Sequence, residues 1–337
     1  MENLDWKKLG FGYMDTDYNV RCYFRKGTWG ELEVSSETHI SVHMAATGLH
    51  YGQEAFEGLK AFKGKDGKIR IFRLDENAKR LQSSCRGTLM AELPVEKFAE
   101  AVIKAVKLNE RFVPPYESGA SLYIRPLLFG SGPQIGVRPA DEYLFVVMVM
   151  PVGPYFKGGF SANSYVITRK YDRAAPQGTG TFKIGGNYAA SLCANKEAHD
   201  MGYTSEFYLD AKEKKYIDEC GAANFFGIKN NTYITPKSSS VLPSITNKSL
   251  QQLALDMGMK VEARQIPVEE LTTFEEAGAC GTAAVISPIK SIVDIENDKT
   301  YFISEEPGKV CKQLYEKLRA IQYGDEPDKF GWVKIIE

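Results

Sequence analysis

The chain has 337 residues, of which 43% are hydrophobic and 25% charged, and its formal net charge is −1 at pH 7. The length indicates about two domains, and the near-zero charge argues against a basic surface for nucleic acid or membrane lipid. The N-terminal residues lack the basic and apolar regions of a secretion signal. The longest apolar run, 143–150, is far shorter than the ~18 residues of a membrane span. We therefore expect a cytoplasmic protein that acts on small molecules.

Six cysteines are scattered along the chain without a C-x-x-C pair. In a chain of this length without a secretion signal, they are typical of reduced thiols. His39 and His43 are four residues apart, but the segment between them is β-like and contains no glutamate, unlike a zinc-binding helix. We therefore expect no metal site.

The first predicted elements form a hairpin over 52–73, where apolar runs flank the turn sequence KDGK. A helix is predicted over 75–87, with Asp75 as its N-cap. A second helix is predicted within 94–112, because apolar residues recur there at helical spacing.

A strand is predicted over 121–129, where alternation places Tyr123 and Arg125 on one face. A second, buried strand at 143–150 ends at a segment rich in proline and glycine, which is typical of a domain boundary. The predicted division is a first domain at 1–151, an interdomain loop at 152–164 and a second domain at 165–337.

Beyond the loop, strands are predicted at 206–210 and 223–228, and helices at 249–258 and 310–324. Gly258 is placed to end the first of these helices. This mixture of strands and helices predicts an α+β fold in two domains.

Lys183 has an unusual setting for a lysine. It lies among four glycines in GTGTFKIGGNY (178–188) and is the only charged residue between 174 and 195. Loss of hydration favours the neutral amine, which suits Schiff-base chemistry with a carbonyl, notably that of pyridoxal phosphate. The glycines would leave room for a flat ring. The alternative is a glycine-rich loop whose lysine extends to water.

Glu219 is a lone carboxylate at the start of a run of small and apolar residues. Burial of such a group requires a cation, and a protonated pyridine nitrogen would serve as that cation. The alternative is a carboxylate at a strand end that faces water or pairs with a lysine.

Two turns are candidate phosphate sites. Ser244 and Thr246 precede a predicted helix, whose first N–H groups attract anions, and the small residues of 281–284 form a second turn. Arg80 would add a fork of donors. The alternatives are simple helix caps and an arginine on the surface of a helix.

Aromatic residues of the first half would line an apolar pocket around Arg125, or would simply be part of a core. They are Tyr51, Phe56, Tyr123 and Tyr155. Other nucleotide and hydrolase motifs are missing, because there is no Walker sequence and no G-x-S-x-G. The glycines of 130–136 also lack the dinucleotide-binding spacing.

Eight segments in order resemble the branched-chain amino acid aminotransferases, which are class IV (fold type IV) pyridoxal-phosphate enzymes. The segments are LHYGQEAFEGLKAF (49–62), NAKRL (77–81), SLYIRP (121–126), PVGPYF (151–156), FKIGGNYAAS (182–191), DECGAANFF (218–226), LPSITNKSL (242–250) and GTAAVISPI (281–289). The resemblance covers nearly the whole chain. It implies a small N-terminal α/β domain and a larger C-terminal pseudobarrel domain, with the site between them.

The resemblance also implies roles for the cofactor-binding residues. Lys183 would bind pyridoxal 5′-phosphate covalently and then act as the base that moves a proton between substrate and cofactor. Tyr188 would hydrogen-bond the phenolate oxygen, and Glu219 would contact the pyridinium nitrogen. The residues that would hold the phosphate are Arg80, Ile245, Thr246 and Thr282.

The implied substrate pocket has several parts. Its aliphatic wall would consist of Phe11, Phe56, Tyr123 and Tyr155. The residues that would reach it from the other subunit of a homodimer are Tyr51, Ile135 and Val137. Ala283 and Ala284 would help to hold the substrate carboxylate, and Arg125 would help with carboxylates, especially the distal one of glutamate.

The chain departs from the family pattern at a few positions. Ser244 and Asn247 replace the usual glycine and arginine, which would loosen that turn. Ala222 replaces a threonine of some members, and Ala284 and Ser287 replace the redox cysteine pair of the vertebrate enzymes.

The reaction implied by the resemblance is a ping-pong transfer of the amino group of leucine, isoleucine or valine to 2-oxoglutarate, giving glutamate. The alternatives within the class are a D-amino acid transaminase and an aminodeoxychorismate lyase. A dehydrogenase and a non-catalytic binding module are the alternatives from other classes.

Overall fold

The computed structural model describes residues 4–6, 8–153 and 160–336. The chain divides into two compact units, which we call unit 1 and unit 2. Unit 1 comprises Met1–Lys157, Phe182–Gly185 and Ala320–Glu337, and unit 2 comprises Gly158–Thr181 and Gly186–Arg319. The predicted second domain, 165–337, therefore differs from unit 2, because two of its segments belong to unit 1.

Strands and three α-helices make up most of the N-terminal part of unit 1. In chain order they are β1 (Asn19–Arg25), β2 (Thr28–Trp29), β3 (Glu33–Ser35), α1 (Thr47–Tyr51), β4 (Glu54–Phe56), β5 (Leu59–Lys63), β6 (Ile69–Phe72), α2 (Leu74–Gly87), α3 (Val95–Leu108), β7 (Ser121–Gly130) and β8 (Tyr143–Val152).

Strands and helices alternate less regularly in the rest of the chain. In chain order they are β9 (Asn163–Thr168), α4 (Gly185–Asp200), β10 (Ser205–Leu209), β11 (Ile217–Cys220), β12 (Ala223–Lys229), β13 (Thr232–Pro236), α5 (Ile245–Asp256), β14 (Lys260–Arg264), β15 (Glu276–Gly281), β16 (Val285–Asp294), β17 (Lys299–Phe302), α6 (Lys309–Tyr323) and β18 (Val333–Ile336).

Unit 1 is built on a sheet with the strand order β18-β6-β5-β7-β8-β1-β2, to which β3 and β4 add through β1 and β7. The predicted hairpin is confirmed, because β5 and β6 pair antiparallel with Ala61 opposite Ile71. At the edge, β18 pairs with β6, with Val333 opposite Phe72. This pairing explains why the C-terminal residues belong to unit 1.

The helix α2 begins one residue earlier than predicted. Its N-cap is Arg73, whose backbone is left-handed (φ 50°) and whose side chain does not cap the helix. The prediction that Asp75 caps this helix is therefore wrong. Asp75 lies in the first turn, where its carboxylate accepts a hydrogen bond from Lys79 Nζ at 2.9 Å. A negative charge at this position interacts favourably with the positive end of the helix dipole.

Unit 2 contains a closed ring of six strands. Its sheet has the order β11-β10-β9-β16-β15-β12-β13-β14, and β11 also pairs with β12, which closes the ring. Phe207, Phe225 and Ile292 are fully buried in its core, and α5 packs against β14 and β15. The closed sheet and the mixture of helices and strands confirm the predicted α+β class.

The structure also bears on the cysteines and on candidate membrane segments. All six cysteines are unpaired, and Cys193 alone among them is exposed. Within the described ranges, no helix combines the length and apolarity that a membrane crossing requires.

Candidate active site

The backbone of Lys183 is fixed within unit 1. Its N–H donates to Ser84 Oγ on α2 at 2.9 Å, and its carbonyl accepts from Phe56 N–H at 3.1 Å. The next residue, Ile184, is buried in the core of unit 1. The half-buried side chain places Nζ over the Phe56 ring, 4.5 Å from its centroid. Lys183 is therefore fixed at its backbone and partly covered at its side chain.

Two of the glycines around Lys183 lie in close contact with other protein atoms, and at Gly180 those atoms include backbone. A Cβ atom on Gly185 would collide with the Glu54 carboxylate, and one on Gly180 would collide with the Ser240 carbonyl. Gly186, by contrast, has open space where its Cβ would lie. The glycines therefore do more than leave room for a ring, because protein atoms occupy the space beside two of them.

Glu54 is a residue of this region that sequence reasoning missed. It is partly buried, and burial raises the pKa of its carboxyl, which the N–H of Gly185 and the charge of Arg125 oppose. The sequence gives no signal for this contact, because Glu54 and Gly185 are distant in the chain.

Arg80 is not the surface arginine of the alternative interpretation. Its Nε and Nη2 donate to the two carboxylate oxygens of Glu57, each at 2.8 Å. Glu57 is fully buried and also accepts from Asn77 Nδ2 at 2.8 Å. Such bidentate pairing holds the guanidinium plane in one orientation.

Tyr123 and Arg125 lie on one face of β7, as predicted. Arg125 Nη2 donates to Tyr123 OH at 2.8 Å, and its guanidinium lies 4.8 Å from the centroid of the Phe56 ring. Phe11 packs edge-on against Tyr123, with ring centroids 4.9 Å apart. The structure thus brings together Phe56, Tyr123 and Arg125, with Phe11, which the resemblance implied, against Tyr123. Tyr155 lies outside the described residues.

Three residues predicted to serve a second subunit lie on the surface of unit 1. Tyr51, Ile135 and Val137 are 44%, 68% and 86% exposed, and Tyr51 OH donates to the Ile135 carbonyl. Ile135 and Val137 thus present apolar side chains to the outside of the chain.

Glu219 is held in unit 2 by several donors. Its side chain is almost fully buried and is paired with Arg173. Its other oxygen accepts from Asn224 Nδ2 at 2.9 Å and from Leu242 N–H at 2.8 Å. Burial raises the pKa of Glu219 to about 7, although Arg173 and the Leu242 N–H act in the opposite direction. The alternative of a carboxylate that faces water or a lysine is wrong.

Arg173 is the most important residue that sequence reasoning missed. It is buried beside Glu219, and its Nη1 donates to the carbonyls of Gly180 and Ser240. The burial rule that singled out Glu219 demands a cation, and Arg173 supplies it from within the chain. Its only sequence signal is that it directly precedes an apolar run, Ala174–Ala175–Pro176.

A pocket of about 230 Å³ opens beside Glu219 in unit 2. Residues on its wall include Arg173, Tyr188, Leu192, Glu206, Glu219 and Ala222. Tyr188 comes from the first turns of α4, five residues after Lys183 in the chain. The predicted residues Tyr188 and Glu219 therefore line one pocket of unit 2.

The start of α5 is well ordered by side-chain contacts. Ser244 is the N-cap, and its Oγ accepts from Asn247 N–H at 3.2 Å. Asn247 is buried, and its Nδ2 donates to Asn224 Oδ1 at 3.1 Å and to Thr235 Oγ1 at 2.9 Å. The expectation that Ser244 and Asn247 loosen this turn is wrong, because both residues make specific bonds.

The second predicted turn follows β15, against which α5 packs. Thr282, Ala283 and Ala284 form this turn and are partly exposed, and the next residue, Val285, has a positive φ of 67°. Thr246, in the first turn of α5, is buried. Among the described residues, no group of three or more His, Cys, Asp or Glu side chains is placed to hold a metal.

Comparison with known proteins places these features in a family. The family model for amino-transferase class IV matches residues 54–292. The chain is 49% identical to a branched-chain-amino-acid aminotransferase of Helicobacter pylori, over 99% of this chain and 98% of that protein. It is 45% identical to the same enzyme of Haemophilus influenzae, over the full length of both. The chain belongs to the class IV aminotransferases.

The structural comparison agrees with the sequence comparison. The crystal structure of the Escherichia coli branched-chain amino acid aminotransferase superposes with a TM-score of 0.80 at 27% identity, covering 96% of this chain and 100% of that one. The predicted resemblance, fold type, reaction class and pyridoxal-phosphate dependence of the family are thereby confirmed.

The residues of unit 2 fit pyridoxal phosphate in two respects. A buried carboxylate, Glu219, lies on the wall of a pocket and is suited to a protonated ring nitrogen. The start of α5 offers a helix N-terminus with Thr246 in its first turn, which is suited to a phosphate.

Proposed function

We propose that the chain reversibly transfers the amino group of L-leucine, L-isoleucine or L-valine to 2-oxoglutarate, giving branched-chain 2-oxo acids and L-glutamate. The observation that carries this proposal is the buried, multiply bonded Glu219 on the wall of a pocket that also contains Tyr188. Pyridoxal phosphate, when bound, supplies the electron sink for the bond changes at the substrate Cα. Every other step depends on side chains of the chain itself.

Lys183 is the residue that we propose to bind the cofactor and to carry the proton. Ser84 and Phe56 fix its backbone, so the root of the side chain is held while its own torsions can move the amine. The aromatic face of Phe56 beneath Nζ excludes water from one side. A partly desolvated amine is the form that reacts with a carbonyl.

Tyr188 and Glu219 are proposed to fix the ring. Tyr188 OH would hydrogen-bond its phenolate oxygen, and Glu219 would face its nitrogen. Because Arg173 and Asn224 already hold the Glu219 carboxylate, the ring nitrogen would meet a preorganised charge.

The phosphate is proposed to bind at the start of α5 and at the turn after β15. Ile245 and Thr246 would donate from the first turn of the helix, and Thr282 from the turn. Arg80, which Glu57 holds through Nε and Nη2, would add its positive charge beside the phosphate.

The substrate groups are proposed to divide between an apolar wall and a polar end. Phe56 and Tyr123 lie beside Arg125 in unit 1, and Phe11 packs on Tyr123. With Tyr155, these aromatic residues would receive an aliphatic side chain. Arg125 would bind the distal carboxylate of glutamate. The turn residues Ala283 and Ala284 would hold the carboxylate next to the reacting carbon.

We further propose that the enzyme is a cytoplasmic homodimer in which the exposed residues Tyr51, Ile135 and Val137 complete the partner's pocket. Their exposure in one chain supports this, because neighbouring apolar side chains on a surface are typical of an interface. Light scattering on the wild type and on Val137→Asp tests it. A dimer that the substitution converts to a monomer is expected, and a monomeric wild type would contradict the proposal.

The test of the reaction is an absorption spectrum of the purified protein. We expect a visible cofactor band that disappears with L-leucine and returns with 2-oxoglutarate, but does not respond to D-leucine. A colourless protein that cannot take up pyridoxal phosphate would overturn the proposed function. A response to D-leucine alone would indicate the D-amino acid transaminase instead.

A further inference from the structure

Glu206 faces the same side of the unit 2 sheet as Glu219. In the pairing of β10 with β11, Phe207 lies opposite Cys220, and both side chains belong to the core of unit 2. Successive side chains of a strand point to opposite faces. Glu206, which precedes Phe207, therefore points away from the core. The register shifts between Phe207 and Leu209, so alternation does not fix the direction of Glu219, but the wall of the pocket includes both carboxylates.

Glu206 is a buried and well-held carboxylate. It is only 2% exposed, and its Oε2 accepts from Asn195 Nδ2 at 3.0 Å and from Ser205 Oγ at 2.8 Å. Asn195 lies on α4, the helix that also carries Tyr188. The glutamate is thus tied to the same helix as a proposed cofactor-binding residue.

The charges on the pocket wall do not balance. Glu219 is already compensated by its ion pair with Arg173. The described wall residues contain one guanidinium, that of Arg173, and two carboxylates, those of Glu206 and Glu219. When both carboxylates are ionised, the wall carries one excess negative charge, which favours a ligand with one positive charge at that position.

Tyr208 is a buried neighbour of Glu206 on the same strand. It follows Phe207 on β10 and therefore lies on the same face as Glu206. Burial is the main cause of its raised pKa, to which the Glu206 carboxylate adds and which Arg173 opposes.

We infer that Glu206 is a second acid of the cofactor pocket, which supplies the excess negative charge that selects a protonated ring nitrogen. The inference rests on the proposed function, in which the ring nitrogen faces Glu219. Glu219 and Arg173 together form a neutral pair that orients the nitrogen, while Glu206 provides the net charge. Glu206 acts through this charge and positions the ring rather than taking part in the bond changes.

The experiment compares two ligands that differ only at the ring nitrogen. The dissociation constants of the full-length apoprotein are measured for pyridoxal 5′-phosphate and for its 1-deaza analogue, in which C–H replaces the nitrogen. Glu206→Gln keeps the shape of the side chain and an acceptor for Asn195 and Ser205. We expect it to weaken binding of the natural cofactor about tenfold, as for loss of a nearby opposite charge, and to change binding of the analogue less than twofold.

Two further variants provide controls. Glu276→Gln removes a carboxylate of unit 2 that is bonded to the N–H groups of Val310 and Cys311, and should leave the preference between the ligands unchanged. Glu206→Asp keeps the charge and should retain most of the preference, even where Glu206→Gln lowers the yield of folded protein.

The outcomes separate the inference from the proposed function. An equal loss for both ligands in Glu206→Gln, or no loss for either, overturns the role of Glu206 while the proposed function stands. A wild type that binds neither ligand, or binds both equally, overturns the function proposed for Glu219 as well.

Discussion

Lys183 and Glu219 are both ionisable side chains in apolar surroundings, but the protein holds them in opposite ways. Lys183 is fixed through its backbone N–H and carbonyl, and its side chain is only half-buried. Glu219 is fixed through its carboxylate, which is almost fully buried. A group that makes and breaks bonds needs mobile torsions, whereas a group that must face one atom of a ligand must not reorient. The structure provides each kind of support where its proposed role requires it.

Lys183→Ala should give the largest loss of activity, because it removes the reactive amine and leaves the backbone contacts of residue 183 in place. We expect kcat to fall at least about 10³-fold, the scale of a lost proton-transfer group, without loss of folded structure. Steady-state rates and circular dichroism measure the two quantities. Lys196→Ala is a matched control, since that exposed lysine pairs with Asp200. A decrease of less than tenfold in Lys183→Ala would contradict its proposed role.

Arg173→Met breaks the support of Glu219 instead. Removal of one partner of a buried ion pair typically costs about 3–5 kcal/mol, because the remaining charge is uncompensated. We expect this loss in the free energy of unfolding, measured with urea. The double variant Arg173→Met, Glu219→Gln should be more stable than the single one. Simple additivity of the two changes would show that the pair is not coupled.

The surroundings of Lys183 and Glu219 could largely be predicted from the neighbouring sequence. The isolation of Lys183 among uncharged residues indicated desolvation, and the lone Glu219 indicated a buried carboxylate. The alternation around Tyr123 and Arg125 also gave their shared face correctly. These features depend on neighbours within a few residues, which a sequence shows directly.

The side chains that hold the site residues in place could not be predicted in the same way. Arg173 is 46 residues from Glu219, and Asn247 is 23 residues from Asn224. Such pairs depend on the register between strands and on where α5 packs. The sequence therefore predicted that Glu219 needs a cation, but not that Arg173 supplies it. The same limit applies to Glu206, whose direction follows from the pairing of Phe207 with Cys220.

The pH dependence of the free energy of unfolding tests the raised pKa of Glu219. Its pKa rises from an ordinary value of 4.5 to about 7 on folding. Between these values the folded apoprotein binds more protons than the unfolded chain, so its free energy of unfolding falls as the pH rises. Below pH 4.5 and above pH 7 this contribution is constant. Urea unfolding of the apoprotein from pH 4 to 8 should show the slope, and Glu219→Gln should lack it. Identical slopes in both proteins would contradict the raised pKa.

Arg125→Leu tests whether the group around Phe56 in unit 1 distinguishes carboxylate from aliphatic substrates. A charge-assisted hydrogen bond contributes about 1.5–3 kcal/mol, so kcat/KM for 2-oxoglutarate should fall about 10- to 100-fold. For 4-methyl-2-oxopentanoate the loss should be less than threefold. An equal loss for both would mean that Arg125 only supports Tyr123 and Phe56, to which it is bound. Arg138→Leu, at an exposed arginine, is the control.

Ser244→Ala should give the smallest loss of stability, and it tests the N-cap of α5, where the phosphate is proposed to bind. The substitution removes the Oγ that accepts from Asn247 N–H, and loss of an N-cap costs about 1 kcal/mol. Ser244→Thr keeps the acceptor and should cost only a few tenths of that amount. Asn247 retains its bonds to Asn224 and Thr235 in both variants, so the pH slope assigned to Glu219 should not change. If Ser244→Ala altered that slope, the helix cap and the carboxylate would form one cooperative network rather than two separate supports.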